Sequence, residues 1–362
     1  MREKWGMAAF VVLLVAVWGV GFLWFRGDLG PGSGKAAAGR TQASRAASPS
    51  AQATSSPMTP AARGADYGGK VSASEENKQV DVNPSAVRPE PVAVPPVVQF
   101  KIASFNLLGS SHTRHRGHSA RRASGPQRMN GALAILATHQ VDVVGFQEFQ
   151  PDQRAAFNSR AKGWAAYPGL SLGRRAGENS VAWRTDVWER IKTELVNIPY
   201  FNGRLRPMPY VLLRHRASGV EAYFSTFHNP ADVGRFRHQQ RFRTAATNRE
   251  IKLFQELEAT GIPQFVTGDM NERAEYFCRV TGATPLIAAA GGSNNGRCTP
   301  PQPTQIDWIF GSPGVVFNDY SAVRSPLVRR TTDHPVIVSQ VVLDALKFKN
   351  AYDPGVPTAP AG

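Results

Sequence analysis

Six short polar clusters in this chain fall at the ends of apolar, β-branched runs. Asn106 closes Ile102-Ala103-Ser104-Phe105, and Gln147-Glu148 closes Val143-Val144-Gly145-Phe146. His228-Asn229-Pro230 follows Tyr223-Phe224-Ser225-Thr226-Phe227, and Gly268-Asp269-Met270-Asn271 follows Phe265-Val266-Thr267. Asp307 stands inside Gln305-Ile306-Asp307-Trp308-Ile309-Phe310, and Asp333-His334 immediately precedes Pro335-Val336-Ile337-Val338. Asp or Asn after a strand is ordinarily a turn former, but six such clusters exceed what turns require. Their carboxylates and carboxamides suit a hard, oxygen-preferring ion such as Mg²⁺ or Mn²⁺. A carboxylate beside an imidazole suits acid–base work. Together these are the parts for metal-assisted attack of water on a phosphate. The chain has no Gly-x-Ser-x-Gly elbow and no Gly-x-x-x-x-Gly-Lys phosphate loop, so serine-hydrolase and nucleoside-triphosphatase readings lack support.

Such residues act together only if a rigid scaffold delivers them to one rim, and strand ends do this. Patterning predicts strands at 97–103, 141–146, 180–183, 210–213, 222–227, 264–267, 306–310 and 336–342. It predicts helices at 129–139, 152–160 and 235–258, the last carrying Phe242, Ala246, Ile251, Leu253 and Phe254 at its apolar positions. The order is not strictly alternating, which favours packed mixed sheets with helices outside over a doubly wound sheet.

The chain has 362 residues, of which 42% are hydrophobic, enough for a sizeable core. Ala8 to Phe25 carries no charge and would span about 27 Å as a helix, the thickness of a bilayer core. We expect an uncleaved anchor there after a short flank, 1–7. A cleaved signal peptide is the competing reading, disfavoured by the length of the apolar run. Residues 26–96 are rich in Ala, Ser, Gly and Pro with Tyr67 as their one aromatic residue, and read as a disordered linker. A catalytic domain is expected over 97–349 and a flexible tail over 350–362. The formal net charge is +15, with 32 basic and 20 acidic residues from 97 onward, so the excess belongs to the folded part and favours anionic partners.

The six clusters, Ser104-Phe105-Asn106, Gln147-Glu148, His228-Asn229-Pro230, Gly268-Asp269-Met270-Asn271, Ile306-Asp307-Trp308-Ile309 and Thr332-Asp333-His334-Pro335, occur in the order seen in the endonuclease/exonuclease/phosphatase superfamily. That group includes DNase I-like nucleases, neutral sphingomyelinases and inositol polyphosphate 5-phosphatases. The resemblance spans residues 98–343 and implies an α/β (α+β) fold, a four-layer α/β/β/α sandwich of two mixed β-sheets with outer helices. It implies that Glu148 is the principal ligand of Mg²⁺ (or Mn²⁺), with Asn106 beside it and Asp333 as a further acidic group. His334 resembles the catalytic histidine and Asp307 the carboxylate that orients it. Asp269 and Asn271 resemble the pair that positions the attacking water and the scissile phosphate. His228 resembles a second histidine that abasic-site endonucleases lack, and which histidine is base and which acid stays open. Arg206 stands roughly where some members carry a phosphate-contacting arginine.

Two arginine-rich stretches follow catalytic clusters: His112 to Arg128, with three histidines, and Arg235 to Arg249. Arg235 and Arg237 are expected to bind substrate phosphates, with a solvated basic face as the alternative. The expected activity is that of a membrane-tethered phosphodiesterase, a nuclease first and a phosphomonoesterase or sphingomyelinase-like lipase second; an inactive binding protein is a third reading. The two cysteines, Cys278 and Cys298, are 20 apart and bracket a Gly/Asn/Ser-rich stretch. Two cysteines exclude a zinc site of three or four thiolates, and their spacing disfavours one of two thiolates and two imidazoles. With the anchor, it leads us to expect a disulfide in a domain facing away from the cytoplasm, or secreted after signal cleavage.

Overall fold

The computed structural model describes residues 96–114, 117–119, 121–173 and 176–355. The expected anchor at 8–25 and almost all of the expected linker lie outside the described residues. Among the described residues no helix is long and apolar enough to cross a membrane.

In chain order the elements begin with β1 (Val97–Asn106), α1 (Ser110–Thr113), α2 (Gly125–Thr138), β2 (Val143–Gln147), α3 (Pro151–Arg160), β3 (Trp164–Tyr167) and β4 (Ser180–Arg184). They continue with β5 (Trp188–Pro199), β6 (Leu205–His215), β7 (Glu221–His228), α4 (Gln240–Glu258), β8 (Gln264–Asp269) and α5 (Ala274–Ala283). The last are β9 (Ile287–Ala288), β10 (Ser293–Asn295), β11 (Arg297–Thr299), β12 (Asp307–Gly311), β13 (Val316–Val323), α6 (Pro326–Thr331) and β14 (Val336–Asp344). One six-stranded sheet runs β13-β14-β1-β2-β4-β3 and the other β5-β6-β7-β8-β12-β9. Each is mixed: β1 pairs parallel with β2 and β7 parallel with β8, and the other pairs within both sheets are antiparallel.

Strand periodicity sorts the side chains into layers. Val98, Phe100 and Ile102 of β1 meet Phe224 and Phe265 of the opposite sheet in one apolar core. Ala103 and Phe105 point the other way, onto Met129, Ile135 and Leu136 of α2 and Phe157 of α3. Val266, Trp308 and Phe310 leave the second sheet toward Ala246 and Phe254 of α4 and Tyr276 and Phe277 of α5. Helices therefore cover both outer faces, as the four-layer expectation requires. Near the site the sheets come unusually close. A Cβ on Gly145 would sit 1.8 Å from Thr267 Oγ1 and 2.6 Å from Thr226 Oγ1, so only glycine fits there. Gln147 spans the same seam, donating through Nε2 to Thr226 Oγ1 at 2.9 Å.

Four sequence expectations need correction. The helix placed at 235–258 starts only at Gln240, because Val233 and Phe236 pair across Gly234 and His238 adopts φ 59°. Strand β5 was not foreseen: WERIKTELVNIP is charge-rich because it is an edge strand with a largely open face. Helix α5 was missed because it is short and follows directly on a catalytic cluster. The domain also runs past 349, since Ala351 is fully buried and its carbonyl accepts from Glu221 N at 2.7 Å. The Cys278–Cys298 disulfide is present, with Cα atoms 5.6 Å apart, and ties α5 to β11.

Candidate active site

All six clusters meet at one end of the two sheets. Asn106 ends β1 and sits opposite Gln147 at the end of β2. His334 lies just before β14, which runs antiparallel to β1 and so starts at the same end. In the other sheet His228 ends β7 opposite Asp269 at the end of β8, and Asp269 faces Asp307, the first residue of β12. Side chains from both sheets thus converge across the seam that Gly145 narrows.

His334 Nδ1 lies 2.9 and 3.1 Å from the two carboxylate oxygens of Asp307. Its Nε2 lies 3.7 Å from Asp269 Oδ2, and His228 Nε2 lies 3.6 Å from the same oxygen. The two histidines differ in charge preference. Burial works against the imidazolium of His334, but the Asp307 charge and hydrogen bond, with Asp269 and Asp333 beyond, push its pKa up to about 10. Burial dominates at His228 and lowers its pKa despite Asp269 and Glu148. Asp269 is raised, first by burial and then by the Asp307 charge. Asn271, at φ 51°, donates through Nδ2 to the Asn229 carbonyl at 2.8 Å, and its N–H reaches Asp269 Oδ1 at 3.1 Å.

On the other flank stands Glu148, at φ 57°. Its Oε2 accepts from Gly109 N at 2.7 Å and lies 3.2 Å from His112 Nε2. Burial would raise this carboxyl, but the His112 hydrogen bond and charge and the Gly109 N–H together hold it well below the usual carboxylate range. Asn106 donates through Nδ2 to Glu148 Oε1 at 3.2 Å and to Asp269 Oδ2 at 3.0 Å. Its oxygen is taken by Leu108 N at 2.9 Å, so as placed it bridges the two carboxylates rather than offering an oxygen beside them.

A cavity of about 310 Å³ gathers Glu148, His228, Asp269, Asn271, Asp333, His334 and Arg206. Glu148 and Asp333 keep part of their surface open in this cavity, and carboxylate oxygens of this kind are chemically suited to a hard dication. Among the described residues, Asp269, Asp307 and His334 form the one group of three whose ligand atoms lie within 4.8 Å of one another. There Asp307 is already engaged by His334 Nδ1 and almost fully buried, which suits proton handling better than ion binding.

The arginines divide. Arg206 lines this cavity, paired with Glu178 at 3.0 Å and stacked 4.0 Å over the Tyr200 ring. Arg235 lines an adjoining cavity of about 650 Å³ that shares Tyr200, Phe201 and Arg206 with it. Arg237 is not brought to the site; it lines a separate surface cavity with Asp232 and His238. Arg128 is a buried brace, donating to the carbonyls of Leu107 and Thr331 at 2.6 and 2.7 Å. Arg243 likewise holds the Pro230 carbonyl at 2.8 Å. His112, His118, Glu178 and Tyr200 line the cavity and were not assigned to the site from the sequence. The histidines of the first basic stretch were the available signal. Gly109 was another: a Cβ there would meet Gln150 Nε2 at 2.8 Å, where its N–H must reach Glu148.

Residues 103–334 match the model of the Endonuclease/Exonuclease/phosphatase family. Among solved structures, an endonuclease/exonuclease/phosphatase family protein from Bacteroides thetaiotaomicron superposes with a TM-score of 0.53 at 19% identity, covering 69% of this chain and 99% of its own. A mannosyl-6-phosphatase from the same organism gives 0.52 at 19%, covering 67% and 100%. The catalytic domain of human Nocturnin, with bound sulfate, gives 0.52 at 16%, covering 68% and 97%. A search of curated protein sequences finds no significant match.

Proposed function

The chain belongs to the endonuclease/exonuclease/phosphatase family and is a hydrolase of phosphoester bonds, and on that premise we propose that it is a metal-dependent phosphodiesterase, a nuclease in the first instance. The observation that carries the reading is the His334–Asp307 pair, facing Asp269 and His228 across one cavity that Glu148 and Asp333 also line. A divalent ion held by Glu148 and Asp333, with Asn106 beside Glu148, would supply charge stabilisation for the phosphoryl oxygens. The chain's own residues handle geometry and protons. Asp269 and Asn271 orient the attacking water, and the raised carboxyl of Asp269 is suited to take its proton. His334, kept charged by Asp307, stabilises the anionic transition state at its Nε2 face. The proton that the leaving oxygen needs is available from Nε2 of the charged His334, which becomes neutral, while His228, kept neutral by burial, can accept but not supply one.

The adjoining cavity supports a diester over a small monoester. It extends from Arg206 past Arg235 and the stacked Phe201 and Phe236 rings, 4.2 Å apart, leaving room for a substituent beyond the scissile phosphate. We further propose that residues 8–25 anchor the chain in a membrane and that the catalytic domain faces away from the cytoplasm, where the Cys278–Cys298 bridge persists. The test is a panel of plasmid DNA, RNA, sphingomyelin, phosphoinositides and p-nitrophenyl phosphate, with Mg²⁺ or Mn²⁺ and with chelator. Cleavage of nucleic acid by the wild type, lost in His334→Ala, supports the reading. Turnover of the monoester or a lipid alone replaces it with the phosphatase or lipase alternative. Resistance of the full chain to alkaline extraction from membranes checks the anchor, and its release would point to the cleaved signal.

A further inference from the structure

We propose that the cavity beside the catalytic one is a nucleotide subsite: one base stacks on a column formed by Phe201, Phe236 and Arg235, and its flanking phosphates meet Arg204 and Arg235, so that the preferred substrate is a single-stranded nucleic acid. The inference rests on the nuclease reading above and deepens it. The cavity, of about 650 Å³, shares Tyr200, Phe201 and Arg206 with the catalytic one, so a chain whose scissile phosphate lies beside His334 can run on into it. Its described lining holds three arginines and three aromatic rings and no carboxylate. Arg206 is paired with Glu178. Arg204 and Arg235 are exposed, and neither enters an ion pair among the described residues. Asp232, a carboxylate of the loop that carries Arg235, is itself paired with Arg243 at 2.6 Å. Two arginine forks beside the scissile site are thus left for an anion.

The Phe201 and Phe236 rings lie 4.2 Å apart and 9° from parallel, and the Arg235 guanidinium stands 5.0 Å over Phe236. Both rings are only half-buried and Arg235 is exposed, so the column opens to solvent. A nucleobase is the flat group such a column accepts, because bases stack on aromatic and guanidinium planes alike. The column is assembled before substrate arrives. Its members come from the β5–β6 turn and the β7–α4 loop, and buried Gln239 ties the two together. Gln239 Oε1 accepts from Asn202 N at 2.9 Å, its Nε2 donates to Asn202 Oδ1 at 3.3 Å, and its N–H donates to Asp232 Oδ1 at 2.6 Å. Val233 and Phe236 exchange backbone hydrogen bonds at 2.9 and 2.8 Å. Such preorganisation lowers the ordering cost of binding. A base within a duplex already has its faces covered by neighbours and its edge paired, so it reaches this column only by unpairing and unstacking. A single strand offers its bases without that cost.

The experiment is fluorescence anisotropy of a short labelled single-stranded DNA, and of the same sequence as a duplex, with the full chain in excess chelator. A strand carrying 2-aminopurine reports stacking by loss of its fluorescence. Wild type should bind the single strand at least about tenfold more tightly than the duplex and quench the 2-aminopurine. Phe236→Leu keeps apolar bulk but loses the flat face; it should lose about tenfold in single-strand affinity, and the quenching with it, while Phe236→Trp keeps both. Arg204→Gln/Arg235→Gln should lower the slope of log affinity against log salt by about 1.4, at about 0.7 for each phosphate contact on a single strand. Equal affinity for strand and duplex in wild type, or unchanged single-strand affinity in Phe236→Leu, overturns the inference. Should Phe236→Leu fail to fold by circular dichroism, Arg235→Gln, at an exposed side chain, should lower the slope by about 0.7 and weaken the quenching, and no change in either overturns it. If wild type cleaves plasmid DNA with Mn²⁺ or Mg²⁺ while strand and duplex bind equally, this inference fails and the nuclease reading stands. A wild type that stacks the base at Phe236 yet cleaves no phosphodiester does the reverse.

Discussion

Replacing Glu250 by glutamine should flatten the pH dependence of stability. Glu250 lies on α4, fully buried, and accepts from Tyr276 Oη at 2.9 Å. Burial pushes its carboxyl up to about 8; the Tyr276 and Asn229 hydrogen bonds and Arg279 pull downward, and the Glu272 charge pushes further up. The folded chain therefore keeps this proton at neutral pH, whereas the unfolded chain releases it near 4.5. The unfolded state then binds fewer protons, so stability falls as pH rises from about 4.5 to 8 and levels off above. A shift of that size corresponds to about 5 kcal/mol of stability lost over the window, at about 1.36 kcal/mol per pH unit. Glutamine is neutral throughout, still accepts from Tyr276 Oη, and has no proton to lose. The assay is urea unfolding at pH 5, 6.5 and 8, comparing wild type with Glu250→Gln. Wild type should lose several kcal/mol relative to the variant between pH 5 and 8, with the two close together at pH 5. Parallel profiles, or a variant that loses ground as pH rises, would refute the argument that the fold holds Glu250 protonated.

Three further outcomes follow from the geometry. Asp307→Asn should lower kcat by about 10²–10⁴ with KM within about threefold, because it removes the partner that orients and charges His334; steady-state kinetics with normal kcat would take Asp307 out of the mechanism. Gly145→Ala should destabilise the domain by about 1–3 kcal/mol or more, since its methyl would overlap Thr267 Oγ1, and a denaturation curve matching wild type would contradict the close approach of the sheets. Cys278→Ser/Cys298→Ser should cost about 3 kcal/mol, the loop-entropy value for a closed loop of this length; two titratable thiols in native, unreduced wild type would show that the bridge does not form.

The strands that carry the candidate site residues were readable because buried central strands concentrate β-branched and aromatic residues. Val143-Val144-Gly145-Phe146 and Phe265-Val266-Thr267 lie close to their expected bounds. Edge strands β5 and β13 face solvent over much of their length, so their composition resembles that of loops. The strand-end clusters announced themselves as carboxylates and histidines placed where turns would suffice. His112 and His118 did not, because their approach to Glu148 and Asp333 depends on a backbone reversal at Gly117. The basic stretches misled in part for a related reason. Arginine count does not distinguish Arg235, beside the site, from Arg128 and Arg243, which are spent on backbone carbonyls inside the fold.

The most direct test of the central claim is phosphodiester hydrolysis by the full chain, followed through removal and return of the divalent ion, in wild type, Glu148→Gln and His334→Ala. Wild type should lose activity in excess chelator and regain it with Mn²⁺ or Mg²⁺. Each variant should stay slower by about 10² or more at every metal concentration with an unchanged circular dichroism spectrum. Full hydrolysis in excess chelator, or wild-type turnover by His334→Ala, would contradict the account.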